Sequence, residues 1–125
     1  MPVAVSKASA GAAPAPLAVT MGDPAGIGPE LNVRAWARRA SDGLAPFAYV
    51  GNADHLEATA RVLGVSLSIR RVAGFDEAAG EHGPVLPVLD IALAAPVVPG
   101  RPDAANGTAV IAAITRAVEA VVAGD

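Results

Sequence analysis

Apolar positions recur in two rhythms along this chain, as short unbroken runs and as stripes with the spacing of a helix face. Leu17 to Met21 is the first short run, Phe47 to Gly51 the second and Pro84 to Ile91 the last. Runs of this length without alternation suit strands buried on both faces of a parallel sheet. Val65 to Val72 instead alternates Val65, Leu67 and Ile69 with Ser66, Ser68 and Arg70, which predicts a half-exposed strand near a sheet edge. Pro87 removes a ladder donor from the last run and predicts an edge or a bulge there. Helical spacing predicts Pro29–Ala40, with Leu31, Ala35 and Ala37 or Arg38 marking its turns, stopped by Ser41-Asp42-Gly43. It predicts Ala53–Leu63 next, capped by Asn52, turned inward through Leu56, Ala60 and Leu63, and ended by Gly64. A long helix follows over Ala104–Ala123, capped by Asp103 and stopped by Gly124. Val110, Ile111, Ile114, Val118, Val121 and Val122 share a face of it, predicted to pack on something extensive. Gly107 near its start predicts close packing or backbone approach there.

The order is strand–helix, strand–helix, strand, loop, strand, long helix. Such alternation predicts an α/β fold, a largely parallel sheet covered by helices in an α/β/α layering. Residues 1–16, rich in Ala and Pro with one charge at Lys7, read as a disordered extension. Ala73 to Gly83 reads as a mobile loop, and Ala92 to Pro102, with Pro96, Pro99 and Pro102, as an irregular connector.

Composition narrows the chemistry. In 125 residues, 53% are hydrophobic but only 3% aromatic, so the core is aliphatic. No uninterrupted apolar run reaches the roughly 20 residues of a membrane span. A net charge of −3 argues against nucleic acid as a partner. The absence of cysteine removes disulfides and thiolate metal sites and fits a cytoplasmic protein. With two histidines, the chain is poor in zinc or iron ligands. His55 and His82 lack partners at facing positions and read as surface residues, and Arg34, Arg38 and Arg39 as a solvated helix face.

The chemistry-bearing stretch is Gly22 to Glu30, GDPAGIGPE, between the first strand and the first helix. Glycines permit φ > 0 and close approach of backbone to a ligand. Pro29 suits the first helical position, and Glu30 the positive end of the helix dipole. The spacing is neither the dinucleotide fingerprint nor a P-loop. Glycine chemistry alone leaves a ligand loop and a tight structural turn both open. Asp23 and Glu30 likewise read either as ligand contacts or as braces of the turn and the helix start.

The full string, Gly22-Asp23-Pro24-Ala25-Gly26-Ile27-Gly28-Pro29-Glu30, closely resembles the N-terminal motif of the 4-hydroxythreonine-4-phosphate dehydrogenase (PdxA-type) family. It is also similar to the GDGIGPE string of isopropylmalate and isocitrate dehydrogenases, with Pro24 and Ala25 as the two additional residues. The FAYVGNADHLEATARVLG stretch, and Gly100 to Gly107 with the helix after it, extend the likeness from Leu17 to Asp125. The resemblance implies the partial three-layer fold of the isocitrate and isopropylmalate dehydrogenases. It implies oxidation of 4-phosphooxy-L-threonine with NAD and a divalent metal (zinc, magnesium or cobalt) in vitamin B6 synthesis, by a homodimer with its active site in an interdomain cleft. Gly22, Asp23, Pro24, Gly26, Gly28 and Glu30 are then expected to line that cleft, with the Gly26 and Gly28 N–H groups towards an anionic ligand.

The family's metal-binding histidines, substrate-contacting His-Thr pair and phosphate-binding residues lie beyond the equivalent of Asp125, so no catalytic or metal residue carries over. Residues 17–125 are therefore expected to be the N-terminal portion of a truncated dehydrogenase domain, inactive alone and binding neither NAD nor metal tightly. Two alternatives stay open: a relative acting on another phosphorylated four-carbon hydroxy acid or a cyclic diol, and a non-catalytic binding or dimerisation module. An apolar helix face lacking its partner strands predicts poor solubility of the isolated chain.

Overall fold

The computed structural model describes residues 17–75 and 84–123. The 1–16 extension, most of the 73–83 loop (with His82) and Gly124 lie outside the described residues. The elements are β1 (Leu17–Thr20), α1 (Gly28–Ala37), β2 (Phe47–Gly51), α2 (Ala53–Leu63), β3 (Ile69–Arg71) and β4 (Leu86–Asp90). A 3-10 turn, Ala104–Asn106, then leads into α3 (Gly107–Ala123). The four strands form one parallel sheet in the order β1-β2-β4-β3.

β2 is the axis of the sheet, and all five of its residues are buried. Leu17 to Thr20 pair in register with Phe47 to Val50, and the Met21 N–H adds a bond to the Val50 carbonyl (3.0 Å). Parallel strands require crossovers, and alternate side chains serve opposite faces. Phe47 turns to α1, where its ring meets Trp36 edge-on at 5.8 Å between centroids. α3 lies against β1 and β2 on the other face, giving a three-layer α/β arrangement.

α2 has the predicted bounds. The Asn52 side chain accepts from the His55 N–H at 2.8 Å, and Gly64 closes the helix at φ 70°. β3 is shorter than predicted but lies at the sheet edge as expected. β4 does not: Pro87 sits in a strand flanked on both sides. The Leu86 N–H donates to Ser68 on the β3 side, and the Ile91 N–H to Gly51 on the β2 side. By alternation the Pro87 nitrogen faces β2, one position before that ladder begins at Tyr49 and Val88. The missing donor falls at the mouth of the ladder and costs no bond within it.

Two helix faces also differ from expectation. α1 ends at Ala37, earlier than predicted, because the chain turns through Arg38 (φ −104°) and the Leu44 N–H returns to the Arg39 carbonyl (2.9 Å). Its buried stripe is Pro29, Asn32, Val33 and Trp36, whereas Leu31 is 55% exposed. Asn32 is admitted because its Nδ2 donates to the Gly28 carbonyl at 2.8 Å. The arginines have local duties: Arg34 pairs with Glu30, Arg38 with Asp42, and the Arg39 guanidinium covers the Trp36 ring at 3.7 Å.

In α3 the sheet takes the small residues Ala109, Ala113 and Ala120, while Ile111, Ile114, Val118, Val121 and Val122 are exposed. Small side chains let a helix lie close on the already crowded centre of a parallel sheet. Gly107 does not pack closely, since a Cβ there would meet nothing within 4 Å. Asp103 caps as predicted, accepting from the Ala105 N–H at 2.8 Å. Buried Asn106 braces the connector: its Oδ1 accepts from Ala94 and Ala95, both at 2.9 Å, and its Nδ2 donates to the Ala95 carbonyl. Ala104–Ala123 spans 20 residues at a mean hydropathy of 1.3, long and apolar enough to cross a membrane by those measures alone.

Trp36 joins α1 to the sheet through both its contact with Phe47 and its burial, being 2% exposed. Trp36→Ala is expected to cost about 3–5 kcal/mol of unfolding free energy in urea titrations followed by far-UV circular dichroism.

Candidate functional site at the carboxyl end of the sheet

The GDPAGIGPE loop leaves the carboxyl end of β1 and returns as the start of α1, beside the ends of β2 and β4. Open parallel sheets bind ligands in this place. Gly22 has φ 65°, the left-handed conformation that starts the turn. Gly28 comes so near β1 that a Cβ on it would collide with the Met21 carbonyl oxygen. Only glycine allows α1 to begin there.

Within the loop, Asp23 is a brace. Its Oδ1 accepts from the Ala25 N–H at 2.8 Å, and its carbonyl from the Gly26 N–H at 2.9 Å. The Gly26 N–H is thus engaged inside the loop. Glu30 pairs with Arg34 at 3.1 Å across one helical turn, both side chains about half exposed. At the start of α1 the N-cap is Ile27, which has no side-chain hydrogen bond to offer and is 72% exposed. Pro29 has no N–H, which leaves the Ile27, Gly28 and Glu30 amides as the N–H groups without an intrahelical partner at the positive end of the helix.

Two contacts from outside hold the loop in place. The Gly100 N–H donates to the Ala25 carbonyl at 2.8 Å. His55, in the first turn of α2, places Nε2 2.9 Å from the Pro24 carbonyl, and since a carbonyl only accepts, Nε2 carries the proton. His55 is therefore half-buried and bonded rather than a free surface histidine. The sequence pattern missed it because the contact joins residues 31 apart. Pro24, Gly26, Glu30, His55, Thr59 and Val97 line a pocket of about 360 Å³ on this side.

Further polar residues gather at the ends of β3 and β4. Asp90 Oδ1 accepts from the Ala53 N–H at 2.9 Å, assisting Asn52 at the start of α2. Arg71 reaches Asp54 at 2.7 Å and Asp90 at 3.4 Å. These pairs are substantially exposed, and such contacts contribute about 0–1 kcal/mol each. Beneath the loop, the Tyr49 ring packs over Gly51 against Met21. Its hydroxyl is buried without a hydrogen-bond partner among the described residues, and burial pushes the phenol above its ordinary pKa. No three His, Asp or Glu side chains among the described residues come together as a metal site.

His55→Ala is expected to cost about 1 kcal/mol and to speed hydrogen exchange at the Gly26 amide, with amides in β4 unchanged. Tyr49→Phe is expected to leave the urea midpoint unchanged or raise it, because it removes a hydroxyl that burial strips of water. A fall of more than about 1 kcal/mol would show that the hydroxyl is satisfied in solution.

No family model matches the chain. Curated relatives do. A 4-hydroxythreonine-4-phosphate dehydrogenase of Methylorubrum extorquens is 44% identical over 111 residues, covering 87% of this chain and 32% of the relative. Its namesake in Xanthobacter autotrophicus is 40% identical over 112 residues, covering 90% and 32%. A crystal structure of the Klebsiella pneumoniae 4-hydroxythreonine-4-phosphate dehydrogenase superposes with a TM-score of 0.77 at 32% identity, over 89% of this chain and 34% of that one. Over most of its length the chain is similar to the 4-hydroxythreonine-4-phosphate dehydrogenases, of whose own length it spans about one third.

Proposed function

We propose that this chain is the N-terminal portion of a cytoplasmic, homodimeric dehydrogenase that oxidises 4-phosphooxy-L-threonine with NAD and a divalent metal in pyridoxal 5′-phosphate synthesis. The observation that carries this reading is the GDPAGIGPE loop held at the carboxyl end of β1, in a chain 44% identical to an enzyme named for that substrate. The substrate is an anion, and the loop offers amide donors at the positive end of an uncapped helix. Gly22 and Gly28 shape the loop, and the Asp23 carboxylate and the Pro24 carbonyl accept the bonds that brace it.

The described residues do not fit a metal ion, because no acidic or histidine cluster is present among them. Nor does the loop's glycine spacing match a dinucleotide fingerprint. In this reading both groups, and the proton acceptor for the substrate hydroxyl, draw their ligands from the two thirds of the family fold that the chain does not span. The chain's own part is to shape one wall of the cleft and offer donors to the substrate's negative charge.

The test is the intact mass of the natively expressed protein together with its NAD reduction on 4-phosphooxy-L-threonine. A mass well above 12.3 kDa with metal-dependent turnover is the expected result. A native mass of 12.3 kDa without turnover overturns it.

A further inference from the structure

We infer that the pocket bounded by the Gly22–Glu30 loop, α2 and the connector before α3 binds a small organic amine, an ammonium group carried on an apolar body. The inference goes beyond the proposed oxidation and does not rest on it, because it concerns a cation where that reading has a phosphorylated anion. The cavity is about 360 Å³, within the range of small-ligand sites. Its walls are mostly hydrocarbon: Pro24 and Pro29 from the loop and helix start, Val62 and Leu63 from α2, Val97 and Pro99 from the connector. Val62 is 86% exposed beside this concave surface, so an apolar ligand body seated here withdraws it from water.

The polar groups decide the sign of the ligand. Among the described residues the polar side chains of the pocket are Glu30, His55 and Thr59, and each has acceptor capacity left but no hydrogen to give. His55 spends its Nε2 proton on the Pro24 carbonyl at 2.9 Å, and the neutral ring keeps a lone pair on Nδ1. Thr59 spends its hydroxyl proton on the His55 carbonyl at 2.9 Å. The Glu30 carboxylate only accepts, and its pair with Arg34 at 3.1 Å is open to water on both sides, a contact that a ligand cation can share.

The backbone adds to this balance. Pro24, Pro29 and Pro99 have no N–H, and the Ala25 and Gly26 amides are bonded to Asp23, which leaves the Glu30 amide as the loop's donor to the pocket. α2 brings its last turn, with Val62 and Leu63, so the negative end of its dipole lies on the pocket. The positive end of α1 is met by the Glu30 carboxylate itself. A carboxylate or phosphate entering here opposes Glu30 with few donors to compensate. An ammonium brings three donors and no acceptor, the complement of the set present.

The experiment titrates the full chain, isotope-labelled for amide NMR, with benzylamine, benzyl alcohol and benzoate, which share an aromatic ring and differ in charge. Benzylamine is expected to shift the Gly26, Glu30, Thr59 and Val62 amides saturably, with a dissociation constant on the order of 1 mM for a ligand of this size. Benzyl alcohol is expected to bind about tenfold more weakly, and benzoate to leave these amides unmoved. Glu30→Gln is expected to weaken benzylamine binding about tenfold. Arg34→Gln breaks the same ion pair but spares the carboxylate, and is expected to leave the affinity unchanged or raise it. That contrast separates a lost ligand contact from a disturbed helix start. Benzoate binding as tightly as benzylamine overturns the inference, as do equal losses in the two variants or an unchanged affinity in Glu30→Gln. So does benzylamine that moves none of these amides saturably below about 20 mM. None of these readouts passes through turnover, so this inference and the proposed oxidation fail separately.

Discussion

The approach of Gly28 to the Met21 carbonyl is the contact around which this structure is arranged. It lets the chain reverse from β1 into α1 within a few residues and lays the helix start against the strand end. With α1 so placed, Trp36 reaches Phe47 and the helix is pinned to β2, the fully buried centre of the sheet. A side chain at position 28 forces the two apart, and the donors at the head of α1 move with them.

The loop so formed is held from three directions. Asp23 turns it internally, His55 anchors it to α2, and Gly100 anchors it to the connector before α3. Asn106 in turn fixes that connector through three backbone bonds. A site assembled from backbone amides depends on such bracing, because amides cannot be re-aimed by a rotamer change. The bracing residues come from the loop itself, from α2 and from the connector before α3, which ties the integrity of the candidate site to more than one element of the fold.

Much of this organisation was legible in the residues. The runs at Phe47 and Leu86, the caps Asn52, Gly64 and Asp103, and the loop from Gly22 to Glu30 all lie where local chemistry places them. The order of elements implied a parallel α/β sheet, and the GDPAGIGPE string pointed to the same family as the relatives. What failed were inferences about direction. The aliphatic face of α3 was expected to pack on something extensive, but the sheet accepts Ala109, Ala113 and Ala120 instead. Leu31, read as marking a turn of α1, is exposed, and Asn32 is buried instead, admitted by its bond to Gly28. Pro87 was expected at an edge or a bulge, but lies where the ladder has not yet begun.

The division has a physical basis. Periodicity, caps, glycine turns and proline breaks act through neighbours within one or two helical turns, so the sequence by itself determined the elements, the ends of α2 and the family-bearing loop. Which face of a helix is buried depends on how much room the opposing sheet leaves. Whether a histidine is free or bonded depends on which carbonyl a distant turn brings within 3 Å of it, as Pro24 is brought to His55. Those outcomes are set by distances between residues far apart in the chain, and only the tertiary structure decided them.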